Sequence, residues 1–188
     1  MNKKAAAKVL SSFSELRRQG DHYFGICNRE LISGYALDAP PGGIYVARFI
    51  LPAYDSIEFL HMALGKRIAQ FPRDETDSGS SDLGALLRND WQAFSSVRDC
   101  GTLVAYLDRE RVEGEYCQWT RYLTHVRGGE FESADRMQHE WQSSGFPRMQ
   151  LVVQNMRAVL AAKESSGWNG VQDLLTEWSD HNMAKFCH

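Results

Sequence analysis

The sequence lacks any long apolar run. No stretch of its 188 residues approaches the roughly 18 to 20 apolar residues that a membrane-spanning helix requires. The basic N-terminal stretch also lacks the continuous apolar segment of a secretory signal, and it contains Glu15, a residue type that organelle presequences avoid. We therefore expect a soluble chain without membrane association, whose first residues form a helix.

Neither sign of charge predominates. The chain has 21 Lys and Arg residues against 24 Asp and Glu residues, which gives a net charge of −3, and the two signs are interleaved along the sequence. Nucleic-acid-binding proteins carry basic patches or stripes, and an anionic membrane attracts blocks of basic residues. We therefore do not expect nucleic acid or a membrane surface among the partners.

Cysteine is scarce and forms no CxxC pair. The four cysteines, Cys27, Cys100, Cys117 and Cys187, are widely spaced. This pattern favours free thiols in a reducing compartment over a disulfide framework, so we predict a cytoplasmic protein. Cys100 lies near a predicted helix start, where a lowered pKa would make a thiol reactive. The alternative for such a cysteine is packing as a small apolar residue.

Sequence motifs that indicate a known catalytic mechanism are missing as well. The sequence contains no GxSxG elbow, no GxxxxGK[ST] loop, no GxGxxG after a strand, no HExxH and no paired Cys/His spacing. Such motifs accompany common hydrolases, kinases, dehydrogenases and metal sites. Catalysis remains open, because site residues are often far apart in sequence, but no cofactor is predicted and a non-enzymatic role is favoured.

The stretch from Gly42 to Ile68 is the most apolar part of the chain. Ile44 to Leu51 and Ser56 to Leu64 are rich in β-branched and aromatic residues, and Pro52 cannot donate a ladder hydrogen bond within a strand. We therefore predict a β-hairpin that turns at Pro52 to Asp55. Both faces of this hairpin are mostly apolar, so we expect helices or a second subunit to cover each face.

Two shorter strand candidates precede this hairpin, at His22 to Cys27 and Leu31 to Leu37. With the hairpin they predict a four-stranded antiparallel meander in the order 1-2-3-4, because tight connections make sequential strands neighbours. Residues 1–20 place Val9, Leu10, Phe13 and Leu16 on one helical face, with Gly20 as the stop signal. The predicted first region therefore spans residues 1–72, a helix followed by a sheet.

The second half of the sequence is helical in pattern. A polar stretch at residues 73–82 is predicted as a linker or loop, and residues 83–188 form the helical region, expected to make one compact domain with the sheet. Helical periodicity predicts five to six helices, at residues 82–94, 99–107, 116–127, 131–142, 149–163 and 171–186. The fold class is therefore α+β.

The predicted hairpin register places Arg48 and His61 on one face as diagonal neighbours. Together they could accept an anionic ligand, with Tyr45 or Glu58 nearby. The alternative is a structural arginine at a strand edge and a histidine within the core. A shift of the hairpin register by one residue would move either Arg48 or His61 to the other face of the sheet.

Three further side chains share a helical face. Glu132, Asp135 and His139 lie at i, i+3 and i+7. Their carboxylate and imidazole groups are of the types that bind metals. A dinuclear site needs a second such helix, and the sequence has none, so a solvated charged stripe is favoured. At the C-terminus, His181, His188 and Cys187 are too few for a zinc site at a fraying helix end. No metal is predicted.

Tryptophans concentrate in the helical half, and Trp119, Trp141 and Trp168 are predicted as partner-binding residues if they are exposed on a concave surface. The leading hypothesis is a soluble non-enzymatic interaction domain of bacterial type, an adaptor, regulator or immunity partner, that binds a protein or forms a homodimer. The alternative is a small enzyme or ligand-binding domain with an anion-accepting pocket between the sheet and the helices.

Overall fold

The computed structural model, which describes residues 1–72, 79–144 and 148–187, confirms the α+β class. Its elements, in chain order, are α1 (Lys3–Ser11), β1 (Arg17–Gln19), β2 (His22–Cys27), β3 (Leu31–Asp38), β4 (Ile44–Pro52), β5 (Lys66–Phe71), α2 (Ser80–Phe94), α3 (Cys100–Arg109), α4 (Glu115–Arg127), α5 (Phe131–Ser144) and α6 (Gln150–Phe186). An N-terminal helix, an antiparallel sheet and a series of helices therefore follow one another as predicted.

The sheet is a meander in sequence order, β1-β2-β3-β4-β5. The order was predicted correctly, but the sheet has five strands among the described residues, in place of the four predicted. β1 is formed by residues predicted to be helical, and it pairs Gln19 with His22 across a turn at Gly20. Gly20 has φ +62°, a backbone conformation that glycine adopts without strain. Helix α1 accordingly ends at Ser11.

The prediction of a second hairpin strand at residues 56–64 is wrong. Residues 56–64 form no strand, and β4 pairs instead with β5, so that Ile44 faces Phe71 and Arg48 faces Lys66. Within residues 56–64, Ile57 and Leu64 are buried, whereas Phe59 is 59% and Met62 is 38% exposed. Hydrophobicity alone does not distinguish a connection of this kind from a strand.

The residues divide into two compact units that alternate along the chain. The first contains Met1–Cys27, Ile32–Leu51 and Leu60–Val97, and the second contains Asn28–Leu31, Pro52–Phe59 and Arg98–His188. The predicted linker at 73–82 falls mostly on residues 73–78, which lie outside the described residues, so that boundary stays a prediction. Pro147, two residues before the helix predicted at 149–163, also lies outside the described residues.

In the first unit, α1 and α2 cover one face of the sheet. Alternate residues of β4, Ile44 and Val46, pack there with Leu10 from α1 and with Leu83 and Leu87 from α2. The alternation follows from strand geometry, in which successive side chains point to opposite faces. The odd-numbered residues of β4, which include Tyr45, Ala47 and Phe49, therefore belong to the other face.

The second unit contains α3 to α6 together with two short segments from the sheet-forming half. Asp99 caps α3 in a reciprocal capping box with Thr102, as the sequence predicted for the start of this helix. Helix α6 is interrupted at Ser166 and Gly167, whose backbone is not helical. None of the helices in the described part of the chain is both long enough and apolar enough to cross a membrane.

Candidate functional site

The face of the sheet opposite α1 and α2 carries a cavity of about 510 Å³. We call this cavity and its lining the trough. It is formed entirely by residues of the first unit, from strands β2 to β5 and from the connections before β4 and before β5. The lining residues are His22, Ala36, Asp38, Pro40, Tyr45, Ala47, Phe49, Leu60, Met62 and Arg67.

The low floor of the trough follows from the register of the strands. Ala36 on β3 pairs with His22 on β2, and Ala47 on β4 pairs with Arg67 on β5. Ala36 and Ala47 therefore contribute methyl groups next to the longer side chains of His22 and Arg67. The same two strands also contribute the larger side chains of Asp38, Tyr45 and Phe49 to the lining. A concave surface results from this difference in side-chain size.

Aromatic and apolar side chains make up most of the rest of the lining. Phe49 is fully buried, and its ring lies edge-on to His22, with 6.0 Å between the ring centroids, and to Phe24, with 5.6 Å. Met62 is 38% exposed. Its thioether is a flexible, polarisable group that adapts to different partners. The trough is therefore apolar at its base and accessible at its margin.

Arg67 is the cation of the trough. Its guanidinium lies 4.7 Å from the centroid of the Tyr45 ring, and Nη1 donates a hydrogen bond of 3.0 Å to Oε1 of Gln70. Within the described residues it makes no ion pair. On another strand, the Asp38 carboxylate accepts the backbone N–H of Ala39 at 2.8 Å. The two charges of the trough are therefore both available to a ligand.

Of the four predicted ligand-binding residues, Tyr45 lines the trough, whereas Arg48 lies on the opposite face of the sheet. Nη1 of Arg48 donates to Oδ1 of Asp90 at 2.7 Å, and the guanidinium lies 4.7 Å from the centroid of Phe94. Tyr35 donates to the other oxygen of Asp90 at 2.9 Å. Because the Arg48 side chain is only 3% exposed, its guanidinium serves an internal ion pair.

His61 and Glu58 lie in the connection between β4 and β5, so the strand pairing that was predicted to bring His61 beside Arg48 does not exist. Nδ1 of His61 accepts the N–H of Ala63 at 3.4 Å, and burial lowers the pKa of the imidazole. Glu58 is exposed and belongs to the second unit, where its backbone carbonyl accepts a hydrogen bond from Lys185. The four residues therefore do not form one site.

Two of the three predicted partner-binding tryptophans are core residues. Trp119 is fully buried and stacks on Tyr122, with 5.5 Å between the rings. Trp141 is 7% exposed. Trp168 is half-buried, stacked on Phe131 at 4.9 Å, with the ammonium of Lys163 4.1 Å from the indole ring. Trp119 and Trp141 cannot anchor a partner from these positions, which corrects the prediction for both.

The most connected polar group of the second unit was missed by sequence reasoning. Asp55 is fully buried and accepts hydrogen bonds from Tyr116 at 2.8 Å, from Nε1 of Trp119 at 3.0 Å and from Asn155 at 2.9 Å. The N–H of Ser56 is a fourth donor, at 2.8 Å. Burial raises the pKa of Asp55, and these four donors act against the increase. These hydrogen bonds from Tyr116, Trp119 and Asn155 make Asp55 a structural centre of the second unit.

The metal and thiol hypotheses receive no support from the geometry. Asp135 is hydrogen-bonded to Lys163, and within the described residues no group of three His, Cys, Asp or Glu side chains could hold a metal ion. Burial, Glu30 and Asp99 raise the pKa of Cys100, which disfavours the reactive thiolate. His188 lies outside the described residues.

The prediction of four free thiols is correct for two of them. Cys100 and Cys117 are free, and Cys117 is buried. Cys27 and Cys187 are each disulfide-bonded, which corrects the prediction for this pair of residues. Widely separated cysteines carry no spacing signal in one sequence, so the sequence pattern does not show which of them form disulfides.

Comparison with known proteins gives no relative from which a function could be transferred. No protein-family model matches the chain, and searches of curated proteins and of solved structures also find no match. Function is therefore inferred from the trough itself.

Proposed function

We propose that this chain is a non-enzymatic binding protein that takes part of a partner protein into the trough of its first unit. The observation that carries the proposal is the low floor of Ala36 and Ala47 between longer side chains on either side. A concave apolar surface with a few polar groups at its margin has the composition of a recognition site. Adaptors and regulators use surfaces of this kind.

The side chains of the trough support binding in three ways. Ala36 and Ala47, which are partly exposed, provide apolar area at the base, and this area drives association when water is displaced. Tyr45 and Arg67 are residue types enriched at the energetic centres of interfaces. Met62, exposed at the margin, can adjust its conformation to the occupant. No residue of the second unit is needed for this surface.

A small ligand is the second candidate occupant, and the volume of the cavity favours it. The value of about 510 Å³ falls within the roughly 300–1,000 Å³ that small-molecule sites occupy. Arg67 would then bind an anionic group of the ligand. The sequence hypothesis expected an anion-accepting pocket between the sheet and the helices, with Arg48 as its cation. The pocket proposed here lies on the opposite face of the sheet, and its cation is Arg67.

The proposal is tested by filling the trough. Ala47→Trp places an indole on the floor without adding a group to the core side of the sheet, since residue 47 points away from that core. Ala161→Trp, at an exposed position of α6, makes the same substitution away from the trough. Wild type and both variants are used as baits in an extract of the native cells, and captured proteins are quantified by mass spectrometry after circular dichroism confirms the fold.

We expect a stoichiometric partner on the wild type and on Ala161→Trp, and its loss from Ala47→Trp. Equal recovery on all three baits would contradict a role for the trough. Light scattering of the purified chain provides the complementary measurement: a doubled mass that Ala47→Trp returns to the single mass would identify a second copy of the chain as the partner. Recovery of the bait alone, as a monomer, would leave the small ligand as the function to test.

A further inference from the structure

We infer that the occupant of the trough is a polypeptide segment carrying a carboxylate beside an apolar side chain, with its carboxylate on Arg67. This inference rests on the proposed function and specifies the chemistry of the partner. It uses three features of the trough: a guanidinium held in place, an apolar base and a length that exceeds a single residue.

The guanidinium of Arg67 is held from two directions. The Tyr45 ring lies 4.7 Å from it, and Gln70 accepts one of its N–H groups at 3.0 Å. A guanidinium has five N–H donors in a fixed planar arrangement that matches a carboxylate. Because Arg67 makes no ion pair with any described residue, a ligand carboxylate would meet an oriented cation without displacing an internal partner.

The apolar base lies directly beside this cation. Ala47 is the cross-strand partner of Arg67, and Tyr45, whose ring centroid lies 4.7 Å from the guanidinium, lies two residues before Ala47 on the same face. A carboxylate bound to Arg67 therefore leaves the neighbouring part of the ligand over Ala47 and Tyr45. An aliphatic or aromatic side chain fits this surface, and a second charged group does not.

The length of the trough favours a segment of chain. Its lining runs from His22 on β2 to Arg67 on β5, across three strand spacings, which correspond to about 14 Å. An extended polypeptide covers that distance with roughly four residues. A single amino acid or a small acid would occupy only one end.

Asp38 sets the direction in which the segment lies. Its carboxylate, on β3, carries the opposite charge to Arg67 and repels an anion beside it. The ligand carboxylate is therefore favoured at Arg67. A neutral or basic residue of the segment would face Asp38.

The experiment uses a display library of random linear octapeptides with blocked termini, selected on the immobilised full chain. We expect the enriched pool to contain Asp or Glu next to a large apolar residue. Selection on Arg67→Glu should reverse the charge preference to Lys or Arg. Arg157→Glu, at an exposed position of α6, is the matched control and should retain the wild-type preference.

A fluorescein-labelled peptide from the enriched pool is then titrated by fluorescence anisotropy. Arg67→Ala should weaken its binding about tenfold, as expected for a lost hydrogen bond to a charged group, while Arg157→Ala should leave it unchanged. Asp38→Asn should weaken the confinement of the carboxylate and allow peptides with acids at both ends.

The inference is overturned if no pool is enriched, if acids are no more frequent than in the starting library, or if Arg67→Glu selects the same peptides as the wild type. Its failure can be separated from failure of the proposed function. If the partner is lost on Ala47→Trp but the enriched peptides show no preference for acids, the trough is a binding site. The proposed acidic chemistry of its ligand is then wrong. Equal capture on Ala47→Trp and Ala161→Trp would reject the trough itself.

Discussion

The indole ring of Trp91 lies directly against the backbone of Gly25, in the position that a side chain at residue 25 would need. An ideal Cβ on Gly25 would be 2.4 Å from Cη2 and from Cζ3 of Trp91. Gly25 also lies at the point where the β2–β3 register shifts between Phe24 and Ile26. An aromatic ring and a glycine far apart in sequence therefore determine how α2 and β2 pack.

Gly25→Ala should consequently destabilise the protein by about 1–3 kcal/mol, the usual range for an overpacked site. The matched control is Gly42→Ala, where the nearest atom to a Cβ is Oη of Tyr45 at 3.9 Å, an ordinary contact. Urea denaturation followed by circular dichroism measures both. Trp91→Phe combined with Gly25→Ala should recover part of the loss, and equal stability of Gly25→Ala and Gly42→Ala would show that the ring moves aside without cost.

The pair formed by Arg48 and Asp90 should be structural. Arg48→Met leaves the Asp90 carboxylate, 13% exposed, without its guanidinium, and breaking a buried pair in this way costs about 3–5 kcal/mol. The double variant Arg48→Met with Asp90→Leu should be more stable than the sum of the two single losses predicts. Denaturant midpoints of the four proteins complete the cycle. If Arg48 instead served a ligand, Arg48→Met would abolish binding while leaving stability unchanged.

The stability contributed by Asp55 should decrease as pH rises. Burial raises the pKa of this carboxyl above its usual value, so the folded state retains a proton that the unfolded chain has already released. The contribution is then complete below the usual aspartate pKa of about 3.9 and is lost as pH rises through the higher folded value.

Asp55→Asn removes this titration, so the free energy of unfolding of the wild type, relative to Asp55→Asn, should fall as pH increases from about 4. Asp173→Asn, at an exposed position of α6, controls for the loss of one negative charge. Parallel curves for the wild type and Asp55→Asn would show that the four donors cancel the effect of burial. Asp55→Ala should destabilise the protein by about 3 kcal/mol or more, because several buried donors lose their acceptor.

Four of the seven tyrosines should resist ionisation in the folded protein. Burial raises the pKa of Tyr35, Tyr54, Tyr116 and Tyr122 well above the ordinary value. Above about pH 10 the unfolded chain releases tyrosine protons that the folded chain keeps, so stability should fall with rising pH. Tyrosinate absorbance should increase in two stages, the second coinciding with unfolding. A single early stage for all seven would contradict this burial.

Gly167 should be required for the interruption of α6. Its φ of +62° and ψ of −154° describe a backbone conformation that residues with a Cβ adopt only with strain, about 1–3 kcal/mol. Gly167→Ala should therefore lower stability by that amount, measured by urea denaturation. The control Gly101→Ala lies in the first turn of α3, where a Cβ would be 3.6 Å from Asp99. A stabilised Gly167→Ala would mean that the helix becomes continuous.

Much of the helical half could be predicted from local signals. The capping pair Asp99 and Thr102 and the terminating Gly128 lie at or next to the predicted ends of α3 and α4. These features act over one or two helical turns, so each needs only its immediate neighbours in sequence. Fewer residues of the candidate site could be predicted from the sequence. Tyr45 was identified, but Arg67, Ala36 and Ala47 were not, because their importance comes from cross-strand pairing.

The sequence by itself determined the α+β class, three of the five strands in the described residues and the approximate positions of the helices that follow the sheet there, because periodicity and capping are local properties. Only the tertiary structure decided that residues 56–64 are not a strand and that Arg48 binds Asp90. It also decided that Trp119 donates to Asp55, and that Ala36 and Ala47 form a floor. An apolar pattern indicates that a segment contributes to the core. Which residues it packs against depends on contacts between distant parts of the chain.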